Sequence, residues 1–452
     1  MDRSLAPEIH VGIMESERIC FALEGSFSLQ DGTAIAPGAA EARCGKDGIE
    51  VLRDGRILLK GRELILMPGI DPCDRFRIRD VVIGIGFHWE QKEDQVFPGV
   101  LKLMAAGGKV QLVNIVPIEQ YLGCVISSEM RADCPPALLR AHAILSRSWL
   151  LAQVEKQRSP AVHPPAREPF FSTGEEWIRW YDREDHLLFH VCADDHCQRY
   201  QGVGRTGNPD VARAVSDTAG RLLVYQGTIC DARYSKCCGG VTEEYQHCWE
   251  PLVHPYLRRT DDRPQKASPV ASAADLKVEA HAIRFISGNP DAFCNTVDPE
   301  LLGRVLNNYD LFAHGIYRWE EVLSQEEVSR LVRERSGTDF GEILDLVPVE
   351  RGESGRLVKL RICGTKRTLT IGKELEIRRW LSRSHLYSSA FIVHKGARVK
   401  GIPRYFTLRG AGWGHGVGLC QIGAAVMAGM GYTHQEILEH YFRGASIVKQ
   451  YG

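Results

Sequence analysis

Three groups of residues have types and spacings that could carry chemistry. Glu129 falls on the helical face marked by Ile118, Leu122, Val125 and Ile126, where the pattern calls for an apolar side chain. Burial there disfavours an ionised carboxylate and suits it to general-acid work, although the pattern alone also fits a solvated Glu at a helix end. His186, His190, Cys192, His196 and Cys197 place five N or S donors within twelve residues. Tetrahedral zinc takes four such donors, and four protein ligands leave no open position, which marks a structural site. The expected set is His186, Cys192, His196 and Cys197, because the longer spacing from His186 to Cys192 lets the chain wrap the ion. His190 is the alternative first ligand. The same residues also fit buried thiols with surface histidines, or a catalytic zinc with an open position.

The third group is Gly410-Ala411-Gly412-Trp413-Gly414-His415-Gly416-Val417-Gly418-Leu419-Cys420-Gln421, with five glycines in nine residues. Such density serves tight turns or the close approach of a ligand or another backbone. It lacks the GxxxxGK[ST] pattern of a phosphate loop. Trp413, His415 and Gln421 would supply an apolar face and directional hydrogen bonds suited to a sugar, and a structural glycine corner fits equally well. Cys420 with His415 would make a thiol nucleophile pair, while Cys124, Cys134, Cys237 and Cys238 read as small core residues. Arg147, Tyr200, Tyr234, Ser235, His415 and Gln421 are expected to line one groove with Glu129, since polar residues in turns and glycine corners can point at a ligand.

The elements that must position these groups are legible from periodicity. Glu8–Met14, Ile19–Leu23, Arg56–Lys60, Val81–Phe87 and Lys109–Val116 read as strands between Gly, Pro and Asp turns, which makes residues 1–114 a β-rich lobe. From Pro117 the period becomes helical, with Ile118, Tyr121, Leu122, Val125 and Ile126 on one stripe. After Cys134-Pro135-Pro136 a second helix carries Leu138, Ala141, Leu145, Trp149 and Ala152 on one face. Residues Arg158 to Arg167, with three prolines, read as a loop. Short strands return at Leu222–Tyr225 and Ile229–Tyr234. Ser324 with Glu327, and Thr433 with Glu436, have capping-box spacing ahead of helices. The expected fold class is α+β with antiparallel sheets. Its segments are the β-rich lobe 1–114, a core 115–250 with the helix pair and His/Cys stretch, a mixed α/β lobe 251–395, and a closing segment 396–452.

The 452 residues allow two or three lobes, and 44% hydrophobic with 25% charged residues is ordinary for a globular chain. Lys and Arg total 56 against 57 Asp and Glu, so no basic field exists to collect nucleic acid or an anionic membrane surface. No apolar run is long enough to cross a bilayer. Met1 to Ile9 carries Asp2, Arg3, Pro7 and Glu8 in place of a signal peptide's apolar middle, so the chain reads as cytosolic. Fourteen cysteines are too dilute for a disulfide scaffold yet clustered, which points to metal or unpaired thiols.

Several motifs in order resemble the SpoIID/LytB family, the stage II sporulation protein D type. They are Val116-Pro117-Ile118-Glu119-Gln120-Tyr121-Leu122, Ser128-Glu129-Met130, Ala141 to Trp149, Cys197-Gln198-Arg199-Tyr200-Gln201-Gly202, Tyr234-Ser235 with Gly239-Gly240, Gly412 to Gly418 with Gln421, and a tail running through Gly431-Tyr432 to Tyr441-Phe442. The resemblance implies a peptidoglycan lytic transglycosylase acting on glycan strands in the cell envelope, with Glu129 as catalytic acid. It also implies a zinc on His186, Cys192, His196 and Cys197, and other cell-wall hydrolases as partners. Some members are amidase enhancers, which bind without chemistry. Cys237-Cys238 stands where the family has a Ser/Thr-rich turn. One acid suffices for a transglycosylase, whereas a hydrolysing muramidase needs a second carboxylate, for which Asp133 is the nearby candidate, and a zinc amidase needs an open metal position.

Overall fold

The structure of the protein, a computed structural model, describes residues 6–86, 89–158, 169–181, 186–264, 275–311 and 315–452. It is α+β, with mostly antiparallel sheets, in two units: Met1–Arg158, Asp185–Leu222 and Ile447–Gly452 form one, Ser159–Glu184 and Leu223–Ser446 the other. The helix pair read as the head of a separate core therefore belongs with the β-rich segment. Phe87 and the proline-rich stretch after Arg158 lie outside the described residues. Among the described residues no helix is long and apolar enough to cross a membrane.

The first unit is built on two sheets. One runs in the order Val191–Cys192, Glu8–Ser16, Lys109–Pro117, Val100–Ala106, Glu63–Pro68, Phe27–Leu29, Ala34–Ile35; the other in the order Gln91–Pro98, Arg75–Ile83, Arg18–Glu24, Gly38–Gly45, Gly48–Arg53, Arg56–Gly61. Alternation does the sorting: Ile9, Val11 and Ile13 on one strand and Ile19, Phe21 and Leu23 on another are all buried, as period two requires. The first sheet's initial partner matters most for the site. Val191 and Cys192 pair in parallel with Val11 and Gly12, and Gly12 has no Cβ because one would run into the Phe189 ring.

Helix α1 (Ile118–Glu129) follows directly from the strand ending at Pro117, and its predicted stripe is buried throughout. Helix α2 (Pro136–Arg158) departs from the one-face expectation: every residue from Ala141 to Val154 is buried. A helix wholly enclosed must satisfy its polar side chains internally. Ser148 Oγ donates to Ile144 O at 2.6 Å, Ser146 Oγ and His142 Nδ1 share a hydrogen bond of 3.1 Å, and Arg147 pairs with Glu119 of α1. Helix α3 (Pro209–Asp217), capped by Asn208, packs on both.

In the second unit, strands Phe170–Ser172, Glu176–Arg179, Thr368–Gly372, Leu357–Gly364 and Ile343–Arg351 form one sheet, and Arg318–Ser324, Tyr405–Ala411 and Phe391–Lys395 another. Leu331, Phe340, Leu360, Ile377, Trp380 and Phe406 share one core between them and the helices. Ser324 caps the helix Gln325–Ser336 by accepting from Glu327 N, and Thr433 with Glu436 makes a full capping box on His434–Tyr441, as their spacing predicts.

Candidate functional site

Glu129 is the last residue of α1. The two serines before it turn their hydroxyls back onto the helix, Ser127 to Gly123 O and Cys124 O, Ser128 to Cys124 O, so the final turn is tied internally. Met130 then turns extended and the chain leaves toward the Pro135-Pro136 break. Glu129 is 9% exposed, near enough to enclosed that its carboxylate depends on protein donors. One is the backbone N–H of Arg199, at 3.0 Å from Oε1.

That amide is delivered by the His/Cys stretch. His186, Cys192, His196 and Cys197 bring one donor atom each to within 4.8 Å of one another. Cys197 Sγ lies 3.4 Å from His186 Nε2 and 3.5 Å from His196 Nδ1, and Cys192 Sγ lies 3.8 Å from His196 Nδ1. Thiolate and imidazole on one tetrahedral ion, at bonds of about 2.3 and 2.0–2.1 Å, stand about 3.6 Å apart, so the donors fit such an ion. The Cys197 hydrogen bond is the largest influence on Cys192 and, against burial and with His186 and His196 assisting, brings the Cys192 thiol down to about 2, where it is thiolate. The Cys192 N–H points at Cys197 Sγ. His190 turns elsewhere: its Nδ1 accepts from His10 N–H at 3.1 Å.

Two residues past Cys197, Arg199 is held by Asp195 at 2.6 Å and lies over the Trp89 ring at 4.9 Å. Gln198 accepts from Tyr121 Oη, and Tyr200 donates to Asn114 Oδ1 at 2.6 Å while stacking on Tyr121 with centroids 5.0 Å apart. The backbone amide that meets Glu129 was invisible to sequence reasoning, because a main-chain donor carries no residue signature.

The other predicted residues divide between the units. Arg147 and Tyr200 share the first unit with Glu129, and both are fully buried. Arg147 spends its guanidinium on Glu119 (2.6 and 3.1 Å), Ala143 O and Arg221 O, and Glu119 also accepts from Gly220 N and Tyr451 Oη. Asp133 is exposed, beside Arg131 and Asn208.

Tyr234, Ser235, His415 and Gln421 lie in the second unit, where Tyr234-Ser235 pairs in parallel with Leu419-Cys420. The glycine-rich segment there is a corner folded onto the chain. Gly412, Gly414, Gly416 and Gly418 all have positive φ, and a Cβ at Gly418 would meet Arg233 O. Buried Arg356 clasps the corner to the turn before it by donating to Gly414 O and Cys238 O. His415 accepts from Val417 N at Nδ1 and packs edge-on against Trp249, with Arg233 over the same indole. Burial, followed by Arg233, Arg356 and Arg378, holds it well below the usual histidine range, so it is neutral. Beside this corner, buried Glu243 takes 2.7 Å hydrogen bonds from His247 Nδ1 and Ser354 Oγ. A cavity of about 780 Å³ elsewhere in this unit, lined by Arg263, Phe293, Met427, Tyr432, His440 and Arg443 among others, contains none of the expected residues.

Residues 106–225, which include the helix pair, Glu129 and the His/Cys group, match the family model described as stage II sporulation protein. That segment is similar to the SpoIID family. A model described as a domain of unknown function (DUF8618) matches residues 243–418. Stage II sporulation protein D of Bacillus amyloliquefaciens is 22% identical over 74% of the chain and 75% of its own length, and that of Bacillus subtilis (strain 168) is 22% identical over 75% and 76%. The amidase enhancer of Bacillus subtilis (strain 168) is 21% identical over 54% of the chain, a stretch covering only 33% of that relative's length.

Proposed function

We propose that the protein acts on the bacterial cell wall as a peptidoglycan lytic transglycosylase, with Glu129 as its acid and base. The observation that carries the reading is the enclosed carboxylate at the end of α1, met by an amide that a pinned loop presents. Glu129 donates its proton to the glycosidic oxygen as the bond from C1 of N-acetylmuramic acid to that oxygen breaks, releasing the adjoining sugar as an alcohol. The resulting carboxylate takes the proton of the muramoyl 6-hydroxyl, whose oxygen bonds to C1 to give the 1,6-anhydro ring. Glu129 ends protonated and no water is consumed, so no second carboxylate is required.

His186, Cys192, His196 and Cys197 would hold a zinc ion as a structural cross-link, since four protein ligands leave no position for an activated water. The same four residues would tie down the loop that carries Arg199. Arg147 and Tyr200 are positioning residues that hold α1 and that loop, while Tyr234, Ser235, His415 and Gln421 lie in the second unit, and the step assigned to Glu129 draws on none of them. The proposed place of that work is the cell envelope. The test is Glu129→Gln, which keeps the side chain's shape and removes its titratable proton. Cleavage of purified glycan strands should fall about 100-fold to 10,000-fold with folding unchanged, and a variant that cleaves at the wild-type rate overturns the assignment. The match to an amidase enhancer favours one second reading, a glycan-binding partner of other cell-wall hydrolases. In that case Glu129→Gln leaves every function intact and the wild type cleaves nothing.

A further inference from the structure

A second group of potential ligands, separate in sequence from the first, is buried in the second unit. Cys238, Asp262, Cys294 and Cys420 bring three sulfurs and a carboxylate oxygen to within 4.8 Å of one another. The four come from distant points of the chain: the turn before Gly239-Gly240, the segment after Asp261, the segment after Phe293, and the N-terminus of the helix Gln421–Gly429. We infer that they hold one zinc ion as a closed structural site.

Four observations support this. Cys238 Sγ and Cys294 Sγ are 3.6 Å apart, close to the roughly 3.8 Å between two thiolates on one tetrahedral zinc and far beyond a disulfide bond of about 2.05 Å. Cys420 Sγ behaves as an acceptor, taking backbone N–H groups from Cys238 at 3.2 Å and Gly423 at 3.4 Å, and it caps its helix where the backbone dipole favours a thiolate. Asp262 is fully buried, and among the described residues no Lys, Arg or His pairs with it. A buried carboxylate without a cation is costly, and a divalent ion removes that cost. The outer shell is also in place, as ligating carboxylates require: Tyr441 Oη donates to Asp262 Oδ1 at 2.5 Å and Cys294 N to Oδ2 at 2.9 Å.

Gly423 lets this shell close, since a Cβ there would collide with Tyr441 Oη and Asp262 Oδ1. A ligand set rich in thiolate and compact enough for a single ion selects zinc among the common divalent metals. Cys237 adds a neighbouring thiol that hydrogen-bonds with Cys294 and Cys420. The site pins the turn at Cys238 and the helix start at Cys420, the two ends between which the glycine-rich corner is folded. It stands independently of whether Glu129 cleaves glycan.

The test is metal stoichiometry on the full chain, purified under reducing conditions without chelator. The wild type should hold two zinc ions, Cys192→Ser should keep one, and Cys294→Ser should lose one. Because Cys294→Ser can unfold its unit, the decisive measurement uses Cys192→Ser with this site intact. After cobalt exchange its retained equivalent should show the visible absorption of tetrahedral cobalt and the near-ultraviolet charge transfer of cobalt thiolate. A folded Cys192→Ser protein with no metal overturns the inference. So does peptide mapping that finds Cys238 and Cys294 joined as a disulfide.

Discussion

Tyr200→Phe separates a residue that holds the site from one that touches a ligand. Tyr200 donates to Asn114 Oδ1 at 2.6 Å, and the Asn114 amide nitrogen donates to Pro98 O at 2.8 Å and Val100 O at 3.1 Å. Those two bonds fix the amide's orientation, so its oxygen cannot turn to another donor. Both residues are fully buried, and water cannot replace the hydroxyl. Phe keeps the ring and its stacking on Tyr121. The hydroxyl's hydrogen bond with the Cys124 thiol goes, and the Asn114 acceptor is left unpaired, the latter costing about 1–3 kcal/mol. For a unit of about 200 residues, each kcal/mol shifts the transition by about 2–4 °C, giving a fall of about 2–12 °C. Calorimetry of the variant should show this, with kcat and KM on glycan strands unchanged well below the transition. An unchanged transition with a tenfold rise in KM would refute the reasoning and return Tyr200 to the ligand-facing set.

Cys197→Ser should lower metal content by one equivalent and thermal stability together, because metal binding is coupled to folding; activity per folded molecule, measured beside circular dichroism, should change little unless Arg199 moves off Glu129. Arg147→Met leaves Glu119 without its cation, and breaking such a pair costs about 3–5 kcal/mol, to be read as a lower denaturant midpoint. Burial lowers His247, but the hydrogen bond and charge of Glu243 outweigh it and raise the imidazole above its ordinary 6.5, while burial raises Glu243 and His247 with Ser354 brings it below its ordinary 4.5. The His247 contribution is therefore full below pH 6.5 and lost as pH rises through the raised value. The Glu243 contribution is full above 4.5 and lost as pH falls through the lowered one. Unfolding free energy measured against pH should show both limbs, and His247→Gln should flatten the upper one.

The elements that position Glu129 were legible because each was written in a local code. The stripe from Ile118 to Ile126 and the Pro135-Pro136 break appear where periodicity put them, as do the strands Glu8–Ser16, Arg18–Glu24, Arg56–Gly61 and Lys109–Pro117. The strand expected from Val81 onward instead runs Arg75–Ile83, and the chain turns at Gly84 to Gly86. The His/Cys group was legible for the same reason, its donors lying within one short segment. What escaped the sequence was whatever depends on distant chain. Arg147 looked available on a helix face until α2 proved enclosed on every side and Glu119 proved to face it. The glycine-rich segment could be read as a ligand loop until its positive-φ glycines were seen against Arg233, Arg356 and Cys237. Cys238, Asp262, Cys294 and Cys420 read as separate residues because nothing local joins them.

Mass analysis of the products from purified glycan strands, cleaved by the wild-type protein in heavy-oxygen water, tests the central claim most directly. Glu129 acting alone leaves 1,6-anhydro ends that carry no label, because the muramoyl 6-oxygen closes the ring in place of water. Labelled reducing ends as the main product would contradict the account and require a second carboxylate.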